Sequence, residues 1–441
     1  MDIQDLINAH PVSGFQKRVI ALCFLIVAID GFDTAAVGFI APALRAAWGV
    51  TPAQLAPLFG AGLFGLMAGA FLFGPLADKW GRKPVLVVTT AFFGLATLAS
   101  AFSPSIETLI ALRFATGIGL GGAMPAAITL TSEFCPERKR ASLVTLMFCG
   151  FTIGSALAGL AASHIVGAFG WQGLLVLGGI LPLMLTPVLA GLLAESPRYL
   201  ALRQAPAERI AAMMRRIAPG ADLAGAHEGG AGKGRGLPIG QLFQGGLGVG
   251  TLLIWTTFFM SLLVFYLLSS WLPLLITTAG FTMKSASLMA ATLATGGTLG
   301  AIVIGRMMDR FDPHSVLAVA YLIAGVFVTL LGSTTAMPAL LVFAIFGAGF
   351  GIAGAQVGVN ALAAAYYPTT ARATGVSWAN AVGRIGSVLG SMVGGFLLSL
   401  GWDLATVFTV AALPALLAAV AMFAKGRLGR PAMKLTVQAA E

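Results

Sequence analysis

Two aspartates, Asp30 and Asp33, stand inside an apolar stretch from Val19 to Leu44 that is long enough to cross a bilayer. A carboxylate at the centre of a membrane helix costs about 2.5–3.5 kcal/mol on insertion scales, so a pair is kept there for a use. Residues three apart share a helix face, which turns both acids toward one interior and away from lipid. Two carboxyls on one face feel each other's charge, so one can hold a proton while the other is ionised. Asp30 and Asp33 are therefore read as proton-coupling residues. The alternative is a structural pair, satisfied by buried hydrogen bonds or by an Arg on a neighbouring helix. Gly31 between them thins the helix and is expected to let a substrate approach the backbone.

The second chemical signal is a deep cation. Arg384 is followed by an uncharged run from Ile385 to Trp402, too deep for its guanidinium to snorkel easily, so it needs an anion. A guanidinium offers a planar fork to two carboxylate oxygens and stays charged at any physiological pH. A substrate carboxylate fits, and a buried pair with Asp30 or Asp33 is the competing reading. Asn380 and Ser377, four and seven residues earlier, share its helical face and can add hydrogen bonds. Arg113 either joins that anion site by pairing with one of the aspartates or snorkels to the interface. Gln356 and Asn360 lie on one face and can donate to or accept from a ring hydroxyl, or they serve as polar glue between helices. Trp378, with Trp255, Phe258, Phe259 and Tyr266, can stack on a planar ring or simply pack.

The elements that must hold these groups are membrane helices. Only 10% of the residues are charged and 58% are hydrophobic, against about 25% charged in a soluble domain, so lipid solvates most of the chain. At about 20 residues per crossing the apolar runs give twelve spanning helices. Their centres fall near residues 30, 66, 95, 120, 154, 182, 262, 296, 324, 350, 386 and 414. A polar start with Asp2, Asp5 and His10 argues against a cleavable signal peptide. The three cysteines, Cys23, Cys135 and Cys149, have no metal-like spacing and read as small apolar residues. The net charge of +10 is explained by topology. All of the 26 Lys and Arg except Arg45, Lys284, Arg113 and Arg384 fall on one side of the twelve-helix arrangement. By the positive-inside rule that side, with both termini, is cytoplasmic. No nucleic-acid footprint is left over.

The chain also repeats itself at an offset of 231 to 232 residues. Gly74-Pro75-Leu76-Ala77-Asp78-Lys79-Trp80 aligns with Gly305-Arg306-Met307-Met308-Asp309-Arg310-Phe311. Pro136 to Ser142 aligns with Pro368 to Thr374, Gly170-Trp171 with Gly401-Trp402, and Pro182 with Pro414. Two six-helix halves of the same orientation follow, residues 1–194 and 247–441, joined by a Gly-rich basic loop over 195–246. The expected fold is all-α and integral to the membrane, and a two-half protein of this kind alternates access.

These residues resemble the major facilitator superfamily nearly end to end. The resemblance rests on Gly74 to Lys83, on Arg113-Phe114-Ala115-Thr116-Gly117-Ile118-Gly119-Leu120-Gly121 and on Glu195-Ser196-Pro197-Arg198. A narrower likeness to the aromatic acid:proton symporter family, in its bacterial 4-hydroxybenzoate and protocatechuate transporter branch, comes from Asp30-Gly31-Phe32-Asp33-Thr34-Ala35-Ala36, from Tyr367-Pro368-Thr369, and from Arg372 to Trp378 leading to Gly383-Arg384. The resemblance implies a proton-coupled importer of an aromatic carboxylate in a bacterial inner membrane. It further implies that contacts of Gly74, Asp78, Gly81, Arg82 and Lys83, and of Asp309 and Arg310, lock an inner gate when the protein faces outward. Glu133 is expected to join that gate through Arg138 or Arg140. Related acids (gentisate, 3-hydroxybenzoate, benzoate) and proton-coupled efflux are the alternatives. No cofactor, metal site or enzymatic nucleophile is expected, and the protein is expected to be a monomer.

Overall fold

The computed structural model describes residues 3–217, 239–244, 246–334, 336–368, 371–402 and 404–428. Among them every regular element is helical: α1 (Ile3–Ala9), α2 (Gly14–Trp48), α3 (Pro52–Trp80), α4 (Arg82–Ser100), α5 (Ile106–Phe134), α6 (Glu137–Leu192), α7 (Pro197–Leu202), α8 (Ala207–Ile217), α9 (Gly248–Thr278), α10 (Met283–Arg310), α11 (Pro313–Ser333), α12 (Pro338–Tyr366), α13 (Arg372–Ser399) and α14 (Leu404–Arg427). The middle of the central loop, Thr369, the side chain of Arg372 and the basic tail beyond Leu428 were part of the sequence expectations and lie outside the described residues.

Local chemistry sets the ends of these helices. Ser13 and Gln16 form a reciprocal capping box at the start of α2, as Thr51 and Gln54 do at α3, where Pro52 occupies the first turn. Each pair satisfies backbone N–H groups that the first turn leaves without partners. Asp312 caps α11 by accepting from the Ser315 N–H.

At 1.5 Å per residue the 56 residues of α6 extend about 84 Å, nearly three times a hydrocarbon core of about 30 Å. Gly170, with φ 70° and ψ −179°, breaks the run into two spans. With ten other long apolar helices, the described residues form twelve spans, and each expected centre falls inside one. Gly401, the repeat partner of Gly170, also has a left-handed φ of 76°. The sequence repeat is thus also a repeat of backbone geometry, at a position glycine adopts without steric cost.

The packing distinguishes the two ends of the bundle. The largest core includes Leu55, Phe59 and Trp171 from the first half with Trp271, Ala290 and Leu341 from the second. It lies toward the end remote from the basic loops, where the Phe59 and Trp271 rings meet edge to face at 4.8 Å. Across this seam α2 packs on α9, α3 on α13 and α6 on α10. At the basic end the cores are separate. One includes Ile7, Leu86, Phe134 and Leu189 of the first half alone; the other includes Leu317, Tyr321, Val359 and Met422 of the second. The halves are therefore joined at the far end and parted at the basic end.

Candidate functional site

α2 carries both aspartates into the interior, where they are 1% and 2% exposed. Close packing of α2 on α6 holds them there. A Cβ at Gly31 would run into the carbonyl of Phe151, and one at Gly154 into that of Ala28. The Ser155 hydroxyl adds a hydrogen bond to the Gly31 carbonyl at 3.0 Å. The expectation that Gly31 opens the backbone to substrate is thus corrected: its missing side chain is filled by the neighbouring helix.

The two acids have different partners. Arg113 on α5 donates through Nη1 to both oxygens of Asp33, at 3.1 and 3.2 Å, and Thr97 Oγ1 donates to Oδ1 at 2.8 Å. The remaining guanidinium N–H groups reach Ser100 Oγ, at 3.3 Å from Nε and 2.9 Å from Nη2, and Thr116 Oγ1 at 2.9 Å. Buried charges persist when they are paired and hydrogen-bonded, and this pair meets both conditions. Of the two readings for Arg113, pairing with an aspartate is the one found. Thr97 and Ser100 carry no expectation from the sequence, where Thr116 enters only within the motif from Arg113 to Gly121. The available signal was the three-residue spacing of Thr97 and Ser100, which puts two hydroxyls on one face of an otherwise apolar run.

Asp30 has no cation within ion-pair distance among the described residues. Thr34 Oγ1 donates to its Oδ1 at 3.2 Å, while its buried Oδ2 has no hydrogen-bond partner among the described residues. Arg384 on α13 has no carboxylate within ion-pair distance among the described residues. Its Nη1 donates to the Tyr266 hydroxyl on α9 and its Nη2 approaches Met124 Sδ on α5, both at 3.4 Å. Those contacts are long and neutral, so the guanidinium spans the seam between the halves without an ion-pair partner among the described residues.

The other expected ligand residues are spread along α12 and α13. Asn380 Nδ2 and Asn360 Nδ2 donate to backbone carbonyls one turn back, at Val376 and Gln356, each at 2.9 Å. Gln356 Oε1 is buried without a hydrogen-bond partner among the described residues. Ser377 is exposed. Trp378 is exposed and its ring stacks on Trp255, with centroids 6.1 Å apart and planes at 23°.

At the basic end of the first half, Arg82 Nη2 lies 3.2 Å from Asp78 and 3.3 Å from Glu133. The Glu195 carboxylate accepts from the backbone N–H groups of Arg82, Lys83 and Ser196, at 2.9, 3.3 and 2.8 Å, and so caps α4. Gly81, at φ 104°, leaves no room for a Cβ beside Glu195. Glu133 thus pairs with Arg82, not with Arg138 or Arg140 as expected. Pro136 starts a new helix and turns both arginines away. Arg138 donates to the His10 carbonyl and Arg140 to that of Ser132, each at 3.2 Å. Gly74 has open space around it. Asp309 and Arg310 are exposed, and no ion pair joins Asp309 to a cation among the described residues.

The cysteines are free. Burial pushes the Cys135 thiol up to about 11, so it stays protonated and inert near neutral pH. No three His, Cys, Asp or Glu side chains come together as metal ligands among the described residues.

The model of the Major Facilitator Superfamily matches residues 23–302 and 254–440. The 4-hydroxybenzoate transporter PcaK of Pseudomonas aeruginosa is 47% identical over 97% of this chain and 96% of its own length. The gallate transporter of Pseudomonas putida is 44% identical over 97% of this chain and 95% of its own. Among solved structures, the inward-open xylose transporter XylE of E. coli superposes with a TM-score of 0.74 at 18% identity, covering 92% of this chain and 95% of that one.

Proposed function

The chain belongs to the Major Facilitator Superfamily and is a membrane transporter, and we propose that it imports an aromatic carboxylate of the 4-hydroxybenzoate class together with protons. The observation that carries this reading is Arg384: a guanidinium at the seam of the halves, held by Tyr266 and Met124, with no carboxylate within ion-pair distance among the described residues. A benzoate carboxylate supplies the missing anion, held through two parallel N–H groups. The unused Oε1 of Gln356 accepts from a ring hydroxyl, Asn360, Asn380 and Ser377 supply further polar contacts, and Trp378 lies against the ring.

Asp30 carries the exchangeable proton. With Asp30 protonated, Arg384 is free to take the substrate; loss of that proton restores a competing anion beside Arg384 and favours release. The Asp33–Arg113 pair links the charge on α2 to α5, so that proton movement at α2 is felt by the whole first half. Energetically, a monoanion entering a negative cell works against about 2.3 kcal/mol per 100 mV, and one co-transported proton cancels that cost.

The halves 1–194 and 247–441 rock about this site, tethered by 195–246. The basic end is cytoplasmic by the positive-inside rule, with the membrane a bacterial inner membrane and the protein monomeric. The state described is then open to the cytoplasm and shut outside. Closing it brings the gate residues Gly74 to Lys83, Glu133 and Arg138 toward Asp309 and Arg310.

Binding of 4-hydroxybenzoate, gallate and 4-hydroxybenzyl alcohol to the purified protein tests the site. The two acids are expected to bind and the alcohol, which lacks the carboxylate, to fail; Arg384→Gln is expected to abolish the difference. Equal binding of the alcohol to the unsubstituted protein would remove Arg384 from the site.

A further inference from the structure

A cavity of about 350 Å³ opens at the basic end of the first half, away from Arg384. The start of α2, the start of α4, the end of α6 and α8 enclose it, bringing Arg18, Lys83, Arg209 and Arg216 together against one acid, Glu195. Glu195 offsets only one of these four charges, and backbone N–H groups of Arg82, Lys83 and Ser196 hold its carboxylate in place. None of the four cations has a carboxylate within ion-pair distance among the described residues. Arg216 lies with Cζ 4.3 Å from the centroid of the Phe15 ring, which steadies the guanidinium without cancelling its charge.

An apolar track leads to this cavity. Ile180, Met184, Val188 and Leu192 recur every fourth residue along the end of α6, and all four are exposed. Residues four apart lie one above another on a helix, so they form a strip along the membrane face of α6, and Leu192 at its end lines the cavity. α8 is anchored beneath it by Met214 and Ile217, both buried in the core of the first half, while Arg209 and Arg216 remain exposed.

We propose that this cavity is a binding site for the phosphate group of an anionic phospholipid, whose acyl chains run along the Ile180–Leu192 strip. Guanidinium forks match phosphate oxygens, and clustered cations beside a membrane helix attract anionic headgroups. Free inorganic phosphate shares the headgroup chemistry but has no use for the strip. The site lies one residue from Arg82, so an occupied cavity braces the loop that holds the Asp78–Arg82–Glu133 cluster.

Native mass spectrometry of the full chain in detergent tests this, with phosphatidylglycerol or phosphatidylcholine of the same acyl composition added, in the absence or presence of millimolar inorganic phosphate. Phosphatidylglycerol is expected to be retained over phosphatidylcholine and to resist phosphate. Arg209→Gln and Arg18→Gln are each expected to weaken retention about tenfold, the loss of one charge-assisted contact. Arg209→Lys, which keeps the charge, is expected to retain most of it, and Arg45→Gln at the far end to leave it unchanged. Equal retention of both lipids, or unaltered retention in Arg209→Gln and Arg18→Gln, overturns the proposal. Full displacement by inorganic phosphate overturns the lipid assignment and leaves an ion site.

Discussion

Removal of one member of the Asp33–Arg113 pair should be costly, and removal of both should not. In Arg113→Met, Asp33 keeps the Thr97 hydroxyl as a partner but loses both guanidinium contacts at 3.1 and 3.2 Å. Ser100 and Thr116 lose little, since their hydroxyls already donate to the Ala96 and Leu112 carbonyls. The penalty therefore concentrates on one buried carboxylate, and breaking a buried pair in this way costs about 3–5 kcal/mol. Asp33→Leu strands a guanidinium that still has two neutral acceptors, which places it toward the lower end of that range. The double variant removes both charges, and replacement of a buried pair by apolar residues of similar volume is close to neutral. A double-mutant cycle should then give a coupling of about 3 kcal/mol or more. Reversible unfolding in mixed micelles measures it. Additive costs in the double variant would refute the pairing. Recovery of gradient-driven uptake along with stability would refute a role for the pair in coupling.

Other perturbations read out different parts of the molecule. Asp30→Asn should keep substrate exchange between equal pools but lose accumulation against a gradient, measured by counterflow and by gradient-driven uptake; preserved accumulation would move the proton elsewhere. Arg384→Lys keeps the charge but loses the fork, so the dissociation constant for 4-hydroxybenzoate should rise about 10-fold or more, the value of one charge-assisted hydrogen bond, as titration calorimetry would report. Gly81→Ala forces a side chain into a left-handed backbone position against Glu195; the transport rate should fall while substrate affinity is held, and a normal rate would separate this turn from gating. Asp312→Ala should cost about 1 kcal/mol as a lost helix cap. Because the Ser315 N–H holds the Asp312 carboxyl below its ordinary value, that contribution is present above about pH 4 and is lost as pH falls through the lower folded-state value.

Much of the fold could be read from the chain because membrane helices announce themselves by length and apolarity, and because the repeat at Gly74/Gly305 and Gly170/Gly401 pairs the two halves. What could not be read was partnership. The spacing of Asp30 and Asp33 placed both inside but gave no reason for one to be paired and the other free. That difference comes from Thr97, Ser100 and Arg113, which lie 64 to 80 residues away in the chain. Gly31 illustrates the same limit, since a small residue permits close approach without saying whether a substrate or Phe151 makes it. Glu133 was assigned by proximity in sequence to Arg138 and Arg140, and the start of a helix at Pro136 sent both elsewhere. Glu195 was visible only as part of a motif; its role as the cap of α4 needed two segments more than 100 residues apart to meet.

The most direct test of proton-coupled import is uptake of labelled 4-hydroxybenzoate by proteoliposomes containing the purified protein, with and without an inwardly directed proton gradient. Accumulation above the external concentration, abolished by a protonophore and by Asp30→Asn, is the expected result. Uptake that only equilibrates with an imposed gradient, or that is driven by an outward gradient instead, would contradict it.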